Sequence, residues 1–150
     1  MFLVTGEAES FCPVCGGTLK YRDRRKRFVR DPEGRRVVYS LRRLRCQEKS
    51  CGRLHTELPD VLIPYKRYTR ETFEVVADVR TPDIPTDERT HRKMRAGTRC
   101  FRQHFNTVHT WILARLRLPP RLFYDLGDMV TLFVRGGHWP PAPVRALCRG

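Results

Sequence analysis

Four cysteines in two pairs have the spacing of a metal-binding site. Cys12 and Cys15 form the first pair, Cys46 and Cys51 form the second, and a glycine directly follows each pair. Four thiolates on two tight loops are the ligand set of a closed, tetrahedral structural Zn²⁺ site, and glycine tolerates the positive φ that such loops need. The sequence therefore predicts one structural zinc ion held by Cys12, Cys15, Cys46 and Cys51.

Two other interpretations of these cysteines stay open at this point. A disulfide framework needs an oxidising compartment, but the apolar start, residues 1–4, is too short for a signal peptide. We therefore expect a cytoplasmic protein with reduced thiols. The second pair has a four-residue spacer, and paired zinc ligands are separated by about two to four residues. His55, shortly after Cys51, could replace Cys46 as a ligand, although such a histidine more often packs against the ribbon or bonds to its backbone.

The segment between the two pairs predicts a long β-hairpin. Residues 18–30 and 35–46 flank Asp31-Pro32-Glu33-Gly34, whose composition suits a type I turn that ends in a left-handed glycine. A four-residue loop would pair Phe28 with Val37. Residues 53–58 predict a short third strand. A hairpin and a third strand beside four cysteines have the layout of a zinc ribbon, in which metal binding is coupled to folding.

The second half of the chain predicts three or four helices. Thr69 is a suitable N-cap for the first helix, and Thr86 or Asp87 for a second helix that Gly97 could interrupt. Apolar spacing is helical again from residue 100, and a last helix is predicted between residues 119–120 and 136–137. The expected fold class is α+β, with a zinc ribbon and connector at residues 1–68 and a helical, helix-turn-helix-like region at residues 69–150.

The charge of the chain indicates a polyanionic partner. The formal net charge is +14, and arginine supplies 25 of the 30 basic residues. Basic residues are concentrated in two blocks, with a local net charge of +10 over residues 20–53 and +8 over residues 88–121. Such segregation is typical of nucleic-acid binding, and arginine suits phosphate and base edges. A solvated surface or an anionic protein partner would also accommodate these residues.

Two elements are candidates for nucleic-acid contact. The middle of the hairpin is nearly all polar, which predicts a projecting basic ribbon. A helix, a break and a second basic helix is the order of a helix-turn-helix, whose second helix enters the DNA major groove. A basic surface helix packed through Met94 is an equally good interpretation, because the connection is long and proline-rich. The predicted contacts, with double-stranded DNA as the expected partner, are Arg24, Arg25, Lys26, Arg27, Arg42, Arg43, Arg89, Arg92, Lys93 and Arg95.

Several runs resemble one bacterial zinc-ribbon family of unknown function. The resemblance rests on CPVCGG at residues 12–17, RRLRC at 42–46, CGRLH at 51–55, ELPD at 57–60 and IPYKRY at 63–68. This family is similar to the zinc-ribbon and helix-turn-helix front ends of transposases. The resemblance implies zinc binding, and it suggests DNA binding and a relation to mobile elements. His91 and Met94 depart from the family pattern, which bears on the recognition-helix assignment.

Catalysis is not expected from the sequence. Two-metal nuclease chemistry needs clustered carboxylates, whereas Asp78, Asp83, Asp125 and Asp128 are spread over helices and turns. An alternative function is a zinc-ribbon adaptor that docks on a transposase or polymerase subunit through apolar contacts, for instance at Trp139. Oligomeric state and sequence preference have no signal in the chain.

Overall fold

A computed structural model describes residues 1–4, 11–79 and 82–135. This part of the chain forms an α+β structure in which a four-stranded sheet precedes three helices. The predicted fold class is thereby confirmed. The strands are β1 (Phe2–Leu3), β2 (Leu19–Arg30), β3 (Arg36–Cys46) and β4 (Leu54–Thr56), and the helices are α1 (Arg70–Asp78), α2 (Glu88–Arg115) and α3 (Leu126–Arg135).

The central strand of the sheet is β3. Its antiparallel partner β2 completes the predicted hairpin, and on its other edge β4 pairs with residues 43–45 as the predicted third strand. The short strand β1, which no sequence pattern predicted, pairs in parallel with Tyr39 and Ser40 on that same edge. This sheet carries the cysteine loops at one end and the hairpin turn at the other.

The hairpin turn shifts the register by one residue from the predicted pairing. Gly34 has a φ of +79°. The backbone of Asp31 makes two hydrogen bonds across the turn: the Asp31 amide donates to the Arg35 carbonyl, and the Asp31 carbonyl accepts from the Gly34 amide. The turn therefore has a left-handed glycine, as predicted, but Arg30 pairs with Arg36 and the loop has five residues. Phe28 consequently pairs with Val38 rather than Val37, so the predicted pairing was wrong.

This register decides which face of the hairpin is buried. Val29 and Leu41 form a small core with Leu62 of the connector. Because side chains alternate between the two faces of a strand, Phe28 lies on the opposite, outward face. The connector is bound to the hairpin by backbone hydrogen bonds, in which Arg30 donates to Arg67 and accepts from Thr69.

The predicted helix caps are confirmed at two positions, and two predicted helix limits are wrong. The Thr69 side chain accepts from the Thr72 amide, and Asp87 accepts from the Thr90 amide. The second helix, α2, is continuous for 28 residues through Gly97, because this glycine is buried on the packed face of the helix. The last helix begins at Leu126 rather than near residue 120, since the Asp125 carboxylate accepts from the first amides of α3. Its predicted stop, residues 136–137, lies outside the described residues.

The three helices share a second core. The largest fully buried side chains in it are Phe105, Phe133, Ile112 and Val76, and the rings of Phe105 and Phe133 are 5.1 Å apart. The helices therefore have their own apolar interior beside the ribbon. None of the described helices combines the length and the apolar character that crossing a bilayer requires.

Candidate functional site

The structure brings the four predicted cysteines together. Their sulfur atoms all lie within 4.8 Å of one another, with 3.8 Å between Cys12 and Cys51 and 3.4 Å between Cys15 and Cys46. A tetrahedron with Zn–S bonds of about 2.3 Å has S···S edges of about 3.8 Å. The sulfur cluster therefore has the ligand type, number and spacing to hold one metal ion such as zinc, and its place beside the sheet fits a zinc ribbon.

Two tight loops position these sulfur atoms. In the first loop, the Cys12 amide donates to Gly17 and the Cys12 carbonyl accepts from Gly16, whose φ is +76°. In the second loop, the amides of Cys51 and Gly52 both donate to the Glu48 carbonyl, and Gly52 has a φ of +55°. The glycine after each pair thus has the left-handed conformation that the sequence predicted.

Backbone hydrogen bonds attach both loops to the sheet. Cys46 is the last residue of β3, and its amide donates to the Arg53 carbonyl. The next amide, that of Gln47, donates to Thr18, which leads from the first loop into β2. The four-residue spacer of the second pair is accommodated in this turn between β3 and β4.

His55 lies beside the sulfur cluster. It is on β4 opposite Leu44, and its Nε2 is 3.3 Å from the Cys12 sulfur. Since four sulfurs already form the cluster, His55 is placed as a hydrogen-bonding neighbour of Cys12. An N–H donated to a thiolate ligand would stabilise its charge.

The four thiols are free, and their surroundings shift the pKa values of Cys12, Cys15 and Cys46 in different directions. Burial raises the pKa of Cys12, but hydrogen bonds, led by those from the backbone of Cys15 and Val14, outweigh it and lower the pKa to about 6. For Cys15, the Gly17 amide lowers the pKa, but the Cys46 thiol and burial raise it to about 12. Burial also raises the pKa of Cys46. An incoming cation would meet the ionised Cys12 thiol first and would displace protons from Cys15 and Cys46.

The predicted hairpin contacts divide into two groups. Arg25 and Lys26 are exposed. The remaining four have partners within the protein: Arg24 donates to the carbonyls of Val4 and Ser40, Arg27 to those of Ile63 and Lys66, Arg42 pairs with Glu57, and Arg43 forms a bidentate pair with Asp23. Among these four, only Arg24 is itself exposed.

The predicted contacts on α2 divide in the same way. Arg89, Arg92 and Lys93 are exposed, whereas His91 and Met94 are buried. Arg95 lies between these groups, and its guanidinium donates to carbonyls at the end of α1. The basic helix thus packs through Met94, and its outward side is cationic.

A family model matches residues 12–94 and describes a domain of unknown function, DUF6431. The chain belongs to the DUF6431 family. The matched region contains both cysteine pairs, the whole hairpin, α1 and the start of α2. No curated protein matches the chain, and no solved structure does. The expected membership in a family of unknown function with a cysteine cluster is confirmed, and the likeness to transposases remains a prediction.

Sequence reasoning missed two aromatic residues of the DUF6431 hairpin. Tyr21 and Phe28 are 57% and 47% exposed, and neither was among the predicted contacts. The signal that could have found Phe28 is the alternation of β2, once the extra residue in the turn loop is counted. The outward position of Tyr21 depends on a shift of register between Tyr21 and Asp23 in β2, and no sequence pattern locates that shift.

Proposed function

We propose that this protein is a non-catalytic zinc-ribbon protein that binds DNA, with one structural Zn²⁺ held by Cys12, Cys15, Cys46 and Cys51. Zinc would link the loop before β2 to the loop after β3, so that the hairpin is rigid at that end. The sulfur spacing and the four-thiol ligand set support zinc over harder cations, which prefer oxygen ligands. The resemblance to transposase front ends extends the proposal to a role with mobile elements.

The observation that carries DNA binding is the outward face of the hairpin. This face contains the even-numbered positions of β3 and their partners on β2. The two strands contribute no acidic side chain to it. Among the described residues, Arg42 is the one cation of this face that is paired with a carboxylate, that of Glu57. The basic side chains on the face are Arg24, Lys26, Arg30, Arg36 and Arg42. A cationic strip of this kind attracts phosphates and would make binding salt-dependent.

The exposed side of α2 adds a second cationic surface. Arg89, Arg92 and Lys93 lie within its first two turns, and Arg99 is exposed one further turn along. Glu88 is the acidic residue of the first turn, and it lies near Arg95 and His91. Phosphate contacts from this helix would supplement those of the hairpin, whether or not the helix enters a groove.

A salt series tests the proposal. Zinc-loaded protein is titrated into random duplex DNA from about 50 to 200 mM salt, with zinc counted in the same sample. Four to six phosphate contacts predict a log–log slope of about −4 to −5, together with one zinc per chain. One zinc per chain without binding at the lowest salt would refute binding of duplex DNA and leave the zinc ribbon standing.

An adaptor function is the second candidate, and one apolar patch favours it. Phe11, Val14 and Trp111 are all exposed. Arg115 brings the end of α2 to the first cysteine loop, because it donates to the Pro13 carbonyl at 3.2 Å and lies 5.6 Å from the Trp111 ring. A protein partner such as a transposase or polymerase subunit would contact these apolar side chains, and binding would then resist salt. The predicted docking residue Trp139 lies outside the described residues.

A further inference from the structure

Two aromatic rings on the outward face of the hairpin lie outside both apolar cores. Tyr21 and Phe28 are both about half exposed, whereas Val29 and Leu41 fill the core on the other face. Exposed rings on a charged strand surface are candidates for ligand contact rather than for stability.

A bulge puts the two rings on the same face. Residues 21 and 28 are seven apart in sequence, and in a regular strand an odd separation places side chains on opposite faces. The register shifts between Tyr21 and Asp23, so that Tyr21 pairs with Leu44 while Phe28 pairs with Val38. Leu44 and Val38 are six residues apart on β3, which has no bulge, so these two positions lie on the same face of the sheet. Bulges re-aim side chains in this way, and here the bulge adds Tyr21 to the basic face.

Cations accompany both rings. The Arg36 guanidinium carbon lies 4.1 Å from the centre of the Phe28 ring, and that of Arg42 lies 6.0 Å from the Tyr21 ring. Lys26 is exposed between them on the same face. Rings that take bases by stacking, interleaved with cations that take phosphates, are the recurring surface of proteins that bind single-stranded nucleic acid.

The spacing of the rings suits an unpaired strand. At about 3.3 Å per residue, Tyr21 and Phe28 are about 20 Å apart along β2, which a strand of several nucleotides can span. The bases of a duplex are stacked on each other and offer no face to such rings. We infer that the outward face of the hairpin binds single-stranded nucleic acid, with bases stacked on Tyr21 and Phe28 and phosphates held by the intervening cations. This inference rests on the proposed function and narrows its substrate.

Two DNA probes and three variants test the inference. One probe is a blunt 24-base-pair duplex, and the other is the same duplex with a 12-nucleotide oligo-dT tail. Zinc-loaded protein is titrated into each by fluorescence anisotropy at one salt concentration. The variants are Tyr21→Ala, Phe28→Ala and, as a matched control, Tyr124→Ala, which removes an exposed tyrosine outside the sheet. Zinc content and circular dichroism confirm that each variant is folded.

The tail should raise the affinity of the native protein at least about tenfold. Each of Tyr21→Ala and Phe28→Ala should lower affinity for the tailed probe about five- to hundredfold and leave blunt-duplex affinity nearly unchanged, while Tyr124→Ala should change neither. Equal affinity for the two probes, without any gain from the tail, would overturn this inference and leave the proposed function standing. Failure to bind either probe would overturn the proposed function itself.

Discussion

The Arg95 guanidinium of α2 donates a hydrogen bond of 3.0 Å to the Val76 carbonyl of α1. A second bond from the same group reaches the Val79 carbonyl, so this side chain satisfies backbone acceptors that the end of a helix leaves without partners. Arg95 therefore fixes α1 against α2, in the position where the sequence suggested a base contact.

Replacing Arg95 should affect stability more than DNA binding. Arg95→Gln removes charge-assisted bonds to two carbonyls and should lower the free energy of unfolding by about 1–2 kcal/mol. Arg92→Gln, at an exposed position three residues earlier, is the matched control and should leave the melting temperature unchanged. Denaturant unfolding measures the free energy of unfolding of both variants, and thermal melts measure their melting temperatures. Equal melting temperatures for the two variants would contradict the assigned role of Arg95.

Loss of a single cysteine should unfold the ribbon. Cys12→Ser or Cys51→Ser removes one of four ligands, and metal binding supplies much of the folding free energy of such a unit. We expect loss of the bound zinc and rapid tryptic cleavage between residues 19 and 46, a segment rich in arginine. Ser50→Ala, in the same loop and exposed, should retain one zinc per chain. A cysteine variant with unchanged zinc content and unchanged proteolysis would refute the metal site.

Zinc affinity should rise with pH. The raised pKa values of Cys15, to about 12, and of Cys46 keep both thiols protonated at neutral pH without metal, so zinc binding must release their protons. The lowered pKa of Cys12, to about 6, means that this ligand also takes up a proton as the pH falls through 6. Each displaced proton changes the affinity by about tenfold per pH unit.

Competition with a chromogenic chelator between pH 6 and 8 measures this dependence. The protons displaced from Cys15 and Cys46 predict a loss of at least about hundredfold per pH unit as the pH falls, with a steeper loss near pH 6. Proton release in weakly buffered titrations provides a second readout. A zinc affinity that does not change with pH would contradict the protonated state of Cys15 and Cys46.

The cysteine cluster and the hairpin could be predicted from the sequence because their signals are local. Paired cysteines followed by glycine specify loops whose geometry depends on a few residues, and the structure has Gly16 and Gly52 at positive φ. The caps at Thr69 and Asp87 are local signals of the same kind. The strand β1 was missed because two residues carry no pattern, and they pair with β3 only through tertiary contact.

The register of the hairpin and the hydrogen-bond partners of its arginines could not be predicted from local sequence patterns. One extra residue in the turn loop moved Phe28 to the outward face, and a bulge placed Tyr21 beside it. Arginines look alike in sequence, yet Arg25 is exposed while Arg27 is half-buried. Which of them contacts phosphate depends on acceptors from distant segments, such as the Ile63 carbonyl.

Neighbouring cations of the hairpin should therefore respond differently to substitution. Lys26 is exposed on the outward face, and Lys26→Gln should weaken DNA binding severalfold and reduce the log–log salt slope by about 1, without a change in stability.

Arg27 donates to the carbonyls of Ile63 and Lys66, and burial lowers its pKa, with a smaller effect from Arg25. Arg27→Gln should lower the free energy of unfolding by about 1–3 kcal/mol, because it leaves connector carbonyls without their donor. Thermal melts and salt titrations of the two variants separate these effects, and a reduced slope for Arg27→Gln with native stability would show that Arg27 contacts phosphate after all.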